Sequence, residues 1–210
     1  DAGYRPIFTD PYFLRLAPLG LIVYGGMIAI QTLWAGPWLT TVAGWTAPQA
    51  ATGLFIINLS MLFAFLAWGW LTPWLTDRGW QVNQLIVRWL PLSIPLLALN
   101  LALGADATAV HWALWCVSCT VVALSQPALA QSFPPALAGR ALSAFNLLIF
   151  LGVFGVQWGI GLTIDALVAG GWPKLQAFRA AFGLFGVGCA LSCLWFALSG
   201  PRSTAKQAAS

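Results

Sequence analysis

From Ala141 to Ile164 the chain carries no charged side chain. A helix needs about 20 apolar residues to cross the hydrocarbon core of a bilayer, and this run is longer. It lies within a stretch from Phe133 to Asp165 that opens on two prolines and Arg140 and has two amides in its interior, Asn146 and Gln157. These amides are eleven residues apart, which at about 100° per residue places both on one helical face roughly 16 Å apart. Gly152, Gly155 and Gly159 fall on roughly the opposite face, bare enough for another helix, the sixth or a lipid-side neighbour, to dock closely. A helix that is polar on one side and bare on the other can line a water-filled space, provided the remainder of the chain supplies its partners.

Five more stretches have the length and apolarity to span a bilayer. The six run from about Tyr12 to Trp38, Pro48 to Trp70, Val82 to Leu103, Val110 to Leu129, Ala138 to Leu167 and Pro173 to Leu198. Thr46 is placed to cap the second, with Pro48 in its first turn, and Gly200-Pro201 ends the sixth. Of the 210 residues, 60% are hydrophobic and 7% charged, against roughly 25% charged in a soluble domain. The net charge of +4 comes from basic residues too few and scattered to track a phosphate backbone, which argues against a nucleic-acid partner. These features predict an all-α membrane protein with the lipid bilayer as its surroundings. A lead over 1–11 and a tail over 200–210 flank a six-helix domain over 12–199. The chain begins at Asp1 and shows no signal-peptide pattern, so it reads as a piece of something longer.

Seven of the nine basic residues, Arg5, Arg15, Arg78, Arg88, Arg140, Arg202 and Lys206, fall on the side of the two termini, and only Lys174 and Arg179 on the other. The positive-inside rule then places both termini in the cytoplasm. Trp38, Trp45, Trp112 and Trp172 are expected to mark the outer boundary and Trp74 and Trp80 the inner one. Trp34, Trp68, Trp115 and Trp158 fall deeper, where a ring either fills space between helices or stacks on a ligand. The third and sixth helices suit the periphery, giving two triplets with the last member of each outermost.

Cys116 and Cys119 have CxxC spacing, but they lie in an apolar run with no His or carboxylate at their depth. With Cys189 and Cys193 they read as packing residues, and no metal or other cofactor is expected. No nucleophile–base pair, paired acid or metal constellation suggests an enzyme. Ionisable groups are likewise missing from the midplane: His111 starts the fourth helix and Asp165 lies near the outer end of the fifth.

Two segments suggest a family. GGMIAIQTLWAGPWLTTVAG in the first helix, and FPPALAGRALSAFN followed by LGVFGVQWGIGLTID in the fifth, resemble the seventh and eleventh helices of bacterial major facilitator superfamily permeases. The turn Leu75-Thr76-Asp77-Arg78 resembles a worn copy of that family's loop motif, with Pro73 where the family has Gly and without the basic pair that comes after it. The resemblance covers about Tyr12 to Leu198 and only the second half of such a permease. It implies residence in the bacterial inner membrane and alternating-access transport of a small solute. The other six-helix half would lie on the same parent chain or in a second subunit.

In that family the first and fourth helices of a half face the cavity, flanked by the second and fifth. Carried over, this nominates Tyr24 and Gln31, Asn58, the stripe Trp115, Ser118, Val122 and Ser125, and Asn146 and Gln157. By depth, Gln31, Asn58 and Gln157 form an outer amide cluster and Asn146 and Gln126 an inner one. Each amide either bonds its neighbours, as buried amides in lipid require, or touches substrate. Gly25-Gly26 and Gly36-Pro37 soften the first helix, for bending or for close packing. The competing expectation is an accessory or assembly subunit that has six helices and does not transport.

Overall fold

The computed structural model describes residues 3–200. Asp1, Pro201, Arg202 and Lys206, which entered the reasoning about the chain's ends and orientation, lie outside the described residues, as does nearly all of the proposed tail. Six helices are long and apolar enough to cross a membrane: α1 (Pro11–Val42), α2 (Ala47–Thr76), α3 (Val82–Asp106), α4 (Ala109–Ser132), α5 (Pro135–Ala169) and α6 (Lys174–Leu198). A single helical turn, Arg5–Phe8, precedes them. It is docked rather than free: Ile7 is fully buried, and the Phe8 ring meets Phe13 edge-on at 5.5 Å.

Each start has a local cause. At α1, Asp10 accepts from the backbone N–H groups of Tyr12 and Phe13, both at 2.9 Å, and Pro11 opens the helix. At α2, Gln49 Oε1 accepts from both the backbone N–H and the hydroxyl of Thr46, each at 2.9 Å. At α4, the backbone N–H of Thr108 donates to His111 Nδ1 at 3.1 Å, so the lone histidine closes a helix cap. Gly79, at φ +86°, turns the chain between α2 and α3 in a conformation that side chains disfavour.

Guanidinium groups tie the ends together. Arg15 Nε, near the start of α1, donates to Phe196 O at 2.8 Å, and its guanidinium lies 4.2 Å from the centre of the Phe196 ring. At the opposite end Arg179 of α6 donates from Nε to Leu101 O at 2.7 Å and from Nη2 to Ala102 O at 2.9 Å. Both cations thus satisfy carbonyls in a last helical turn, where the macrodipole also favours them. The first of these contacts brings both ends of the described chain to the same end of the bundle.

Helices α1 and α4 form the centre, with 61% and 56% of their apolar cores buried against 22–33% for the other four. The α1 helix packs on α5 and α6, α4 packs on α2 and α3, and α3 lies against α6. Exchanging the triplets maps each of these contacts onto another or onto itself. The third members are not the most open helices, however. Because α3 and α6 cover one another, it is α2 and α5 that keep the barest faces, at 22% and 28% buried.

The α1–α5 crossing is made by glycine. A Cβ on Gly25 would come within 2.7 Å of Ile149 O, and one on Gly152 would overlap the Leu21 carbonyl oxygen. The glycine strip foreseen on α5 is therefore divided. Gly152 faces α1 rather than α6, while among the described residues no contact lies within 4 Å of a Cβ built on Gly155 or Gly159.

Toward the end distant from the termini, rings fill the core. Trp38 and Trp112 are fully buried, 5.1 Å apart, and both meet Phe182, at 5.3 and 5.5 Å. They were expected to lie at the membrane boundary. Their depth in the chain fits that expectation, but both rings turn inward, where α1, α4 and α6 converge. Cys116, Cys119 and Cys189 are buried free thiols in the same core.

Candidate functional site: the amide-bearing face

The longest departures from α-helical backbone lie in the first helix of each triplet. In α1, π-helical segments span Leu19–Tyr24, Ile30–Trp34 and Trp38–Val42. The first and third come directly after Pro18 and Pro37, which lack the N–H that would continue the α pattern. Nothing in the sequence explains the middle one. In α4 the segment Thr120–Leu124 tightens to a 3-10 helix. There Thr120 Oγ1 donates to Val117 O at 2.6 Å and Ser125 Oγ to Val122 O at 2.5 Å, reinforcing the three-residue step. By contrast α2, α5 and α6 are continuous α-helix, and α3 has two three-residue 3-10 turns, Leu90–Leu92, which holds Pro91, and Gly104–Asp106 at its end. Such interruptions in mid-helix frequently mark functional hinges.

Side-chain amides bridge the helices at two levels. Gln31 Nε2 on α1 donates to Asn58 Oδ1 on α2 at 2.5 Å, and Asn58 Nδ2 donates to Leu54 O at 2.8 Å. Gln126 Nε2 on α4 donates to Asn146 Oδ1 on α5 at 2.6 Å. Both bridges therefore run from a Gln in the first helix of a triplet to an Asn in the second. Asn58 is eleven residues from the start of α2 at Ala47, and Asn146 eleven from the start of α5 at Pro135. Because α2 and α5 start at opposite ends of the bundle, the bridges sit at opposite depths.

Gln157 joins α1 without reaching Gln31. Its Nε2 donates to Thr32 Oγ1 at 3.2 Å, and its backbone carbonyl accepts from Trp34 Nε1 at 3.1 Å. Asn58 and Asn146 are exposed, and Gln31 and Gln157 half-buried, on the side of α1, α2 and α5 that no other helix covers. An open hollow of about 810 Å³ beside Gln157 is lined by Leu33, Phe154, Gly155, Trp158 and Asp165. Trp158 is 72% exposed and fills no gap between helices, whereas the N–H of Trp68 donates to Thr120 Oγ1 at 3.1 Å.

The remaining candidates sit elsewhere. Tyr24 is half-buried on α1, and its hydroxyl makes no hydrogen bond among the described residues. Trp115, Val122 and Ser125 point into the six-helix core, while Ser118 is half-buried in a separate apolar slot between α2, α3 and α4. The stripe expected at helical spacing is broken at Ser118, which lies with Trp115 in the α-helical part of α4, ahead of the 3-10 segment. The loop residues Asp77 and Arg78 are exposed at the end of α2. Arg78 Nη1 donates to Trp74 O at 3.1 Å, with the guanidinium 3.6 Å from the Trp74 ring centre.

The face offers neutral donors and acceptors and broad aromatic surface, with Asp165 at its edge. It is equipped to hold a hydrogen-bonding solute, and among the described residues no group of three or more potential metal ligands lies together. Comparison with protein-family models and with curated proteins finds no match to this chain.

Proposed function

We propose that this chain is the second six-helix half of a secondary transporter of the major facilitator type, carrying a small solute across a bacterial inner membrane by alternating access. The observation that carries the reading is the pairing of irregular backbone with amide bridges. The first helix of each triplet is interrupted in mid-membrane, and each carries a Gln bridged to an Asn on the next helix, at opposite depths. Broken helices at the interface of repeats are where transporters build solute sites. The bare faces of α2 and α5 are where a first half would sit, closing a cavity around Gln31, Asn58, Asn146 and Gln157. Seven basic residues on the side of the termini support a cytoplasmic placement of both.

Reconstitution tests this. The full-length protein in proteoliposomes is loaded with a panel of unlabelled sugars, amino acids, nucleosides and organic acids, and counterflow of the labelled forms is measured. Exchange of at least one class is expected, reduced by Gln31→Ala and by Asn146→Ala in folded protein. Absence of exchange, with the chain recovered in a stable membrane complex, would replace the reading by that of an accessory subunit.

A further inference from the structure

A second recess lies away from the amide face. It is a slot of about 390 Å³ between α2, α3 and α4, within the range of small-molecule sites. Its walls include Ala64, Ala67, Leu75, Trp89, Leu92 and Val117 and are almost wholly apolar. The polar atoms beside it are engaged: Trp68 Nε1 donates to Thr120 at 3.1 Å and Ser118 Oγ to Trp115 O at 2.6 Å. A polar solute would find nothing to bond. Along α2 the slot runs from Ala64 to Leu75, eleven residues, or about 16 Å at 1.5 Å per residue. That is about half of a 30 Å hydrocarbon core, the depth of one leaflet.

The mouth, at the end of the bundle shared with both ends of the described chain, is cationic. Trp80 donates its backbone N–H to the carbonyl of the slot residue Leu75 at 3.1 Å, which brings the turn after α2 back to this end of the slot. The Arg88 guanidinium lies 4.7 Å from the centre of the Trp80 ring, and Arg88 immediately precedes the slot residue Trp89. Arg78, three residues beyond Leu75, stacks on Trp74. Both arginines are exposed, and neither pairs with a carboxylate among the described residues.

We propose that this slot is a binding site for one anionic glycerophospholipid, with an acyl chain between α2, α3 and α4 and the phosphate headgroup held by Arg88 and Arg78. Apolar length and depth select the chain, and two cations at the mouth select a headgroup with net negative charge. Basic pockets between spanning helices take such headgroups. The site is independent of the amide face and does not require that the protein transport anything.

Native mass spectrometry of the delipidated full-length protein tests the site, with dioleoyl phosphatidylglycerol and dioleoyl phosphatidylcholine titrated separately. The first phosphatidylglycerol should bind about 25-fold tighter than phosphatidylcholine, since each of the two near-surface cations is worth about fivefold. Arg88→Gln should remove about fivefold of that preference and leave phosphatidylcholine binding unchanged. Ala67→Trp, which fills the slot, should abolish the first tight site for phosphatidylglycerol. Equal affinity for the two lipids in the unaltered protein overturns the headgroup assignment. Undiminished phosphatidylglycerol binding in folded Ala67→Trp overturns the slot. Competition by glycerol phosphate as effective as that by the lipid would show a surface anion site and no chain site. If Ala67→Trp does not fold, the exposed Arg88→Gln still decides the charge preference, and phosphatidylglycerol with acyl chains too short to fill the slot decides whether the chain contributes.

Discussion

The glycines of α5 permit one chemical change with opposite consequences three residues apart. Gly152→Ala would place a methyl group over the Leu21 carbonyl oxygen, 2.7 Å from its carbon and 3.1 Å from Leu21 Cα. These atoms are backbone, so no rotamer change relieves the overlap, and α1 and α5 must separate. Separation also loosens the Gly25 contact with Ile149 O, because both belong to the same crossing. Overpacking of this kind costs about 1–3 kcal/mol, and the upper end applies where backbone must move. Replacing a mid-helix glycine by alanine returns about 0.5–1 kcal/mol. Gly152→Ala should therefore destabilise by about 2 kcal/mol. Gly155→Ala, with nothing within 4 Å of the new methyl, should stabilise by about 0.5–1 kcal/mol. The difference, about 3 kcal/mol, is measurable by unfolding the purified full-length protein in mixed dodecyl maltoside and SDS micelles, monitored by near-UV circular dichroism. A Gly152→Ala protein as stable as Gly155→Ala would refute the close α1–α5 crossing.

Three further outcomes rest on named contacts. In a double-mutant cycle of Gln31→Ala and Asn58→Ala, the coupling free energy should be about 0.6 kcal/mol and no more than about 1.7, the range for side-chain hydrogen bonds between spanning helices; zero coupling would mean the bridge is not formed in the membrane. Arg15→Met should cost about 1.5–3 kcal/mol by removing the charged donor to Phe196 O, and hydrogen exchange should rise at the last turn of α6 and not at its start. Trp38→Ala should cost about 3–5 kcal/mol in chemical unfolding. Trp38→Phe should cost far less, because the Trp38 N–H is buried with no partner among the described residues and its loss offsets part of the lost area.

The spans were legible because apolar length is a crude and sufficient signal, and all six helices appear where the uncharged runs lie. Most continue outward past the apolar core. The α2 helix, for instance, begins at its Thr46–Gln49 cap and runs on from Trp70 to Thr76. The amide bridges were legible because depth along a straight helix is simple counting, which brought Gln31 level with Asn58 and Gln126 level with Asn146. Rotation about the helix axis was not. The segment Thr120–Leu124 winds α4 tighter than an α-helix, and Trp115, Val122 and Ser125 turn into the core while Ser118 faces the slot between α2, α3 and α4. Likewise the position of Trp38 and Trp112 in the sequence gives a depth without saying which way the rings face. Gly152 and Gly155 differ by only three residues, yet one is locked against α1 and the other is bare. Hydroxyl runs inside an apolar helix are the signal that could have warned of the change in winding.

The proposed transport requires that the face carrying the amides line water and not lipid, on both sides of the membrane in turn. It is tested most directly by the rate at which a membrane-impermeant maleimide labels single cysteines in a variant lacking Cys116, Cys119, Cys189 and Cys193. Thr32→Cys and Ser143→Cys probe exposed positions on the two halves of the α1–α5 face; Leu99→Cys and Leu191→Cys probe exposed positions on α3 and α6. Transport predicts rapid labelling at Thr32 from one side and at Ser143 from the other, protection at Leu99 and Leu191, and opposite changes at the first two when the transported solute is added. Equal protection at all four positions would contradict it, leaving a bundle embedded in lipid with no aqueous path.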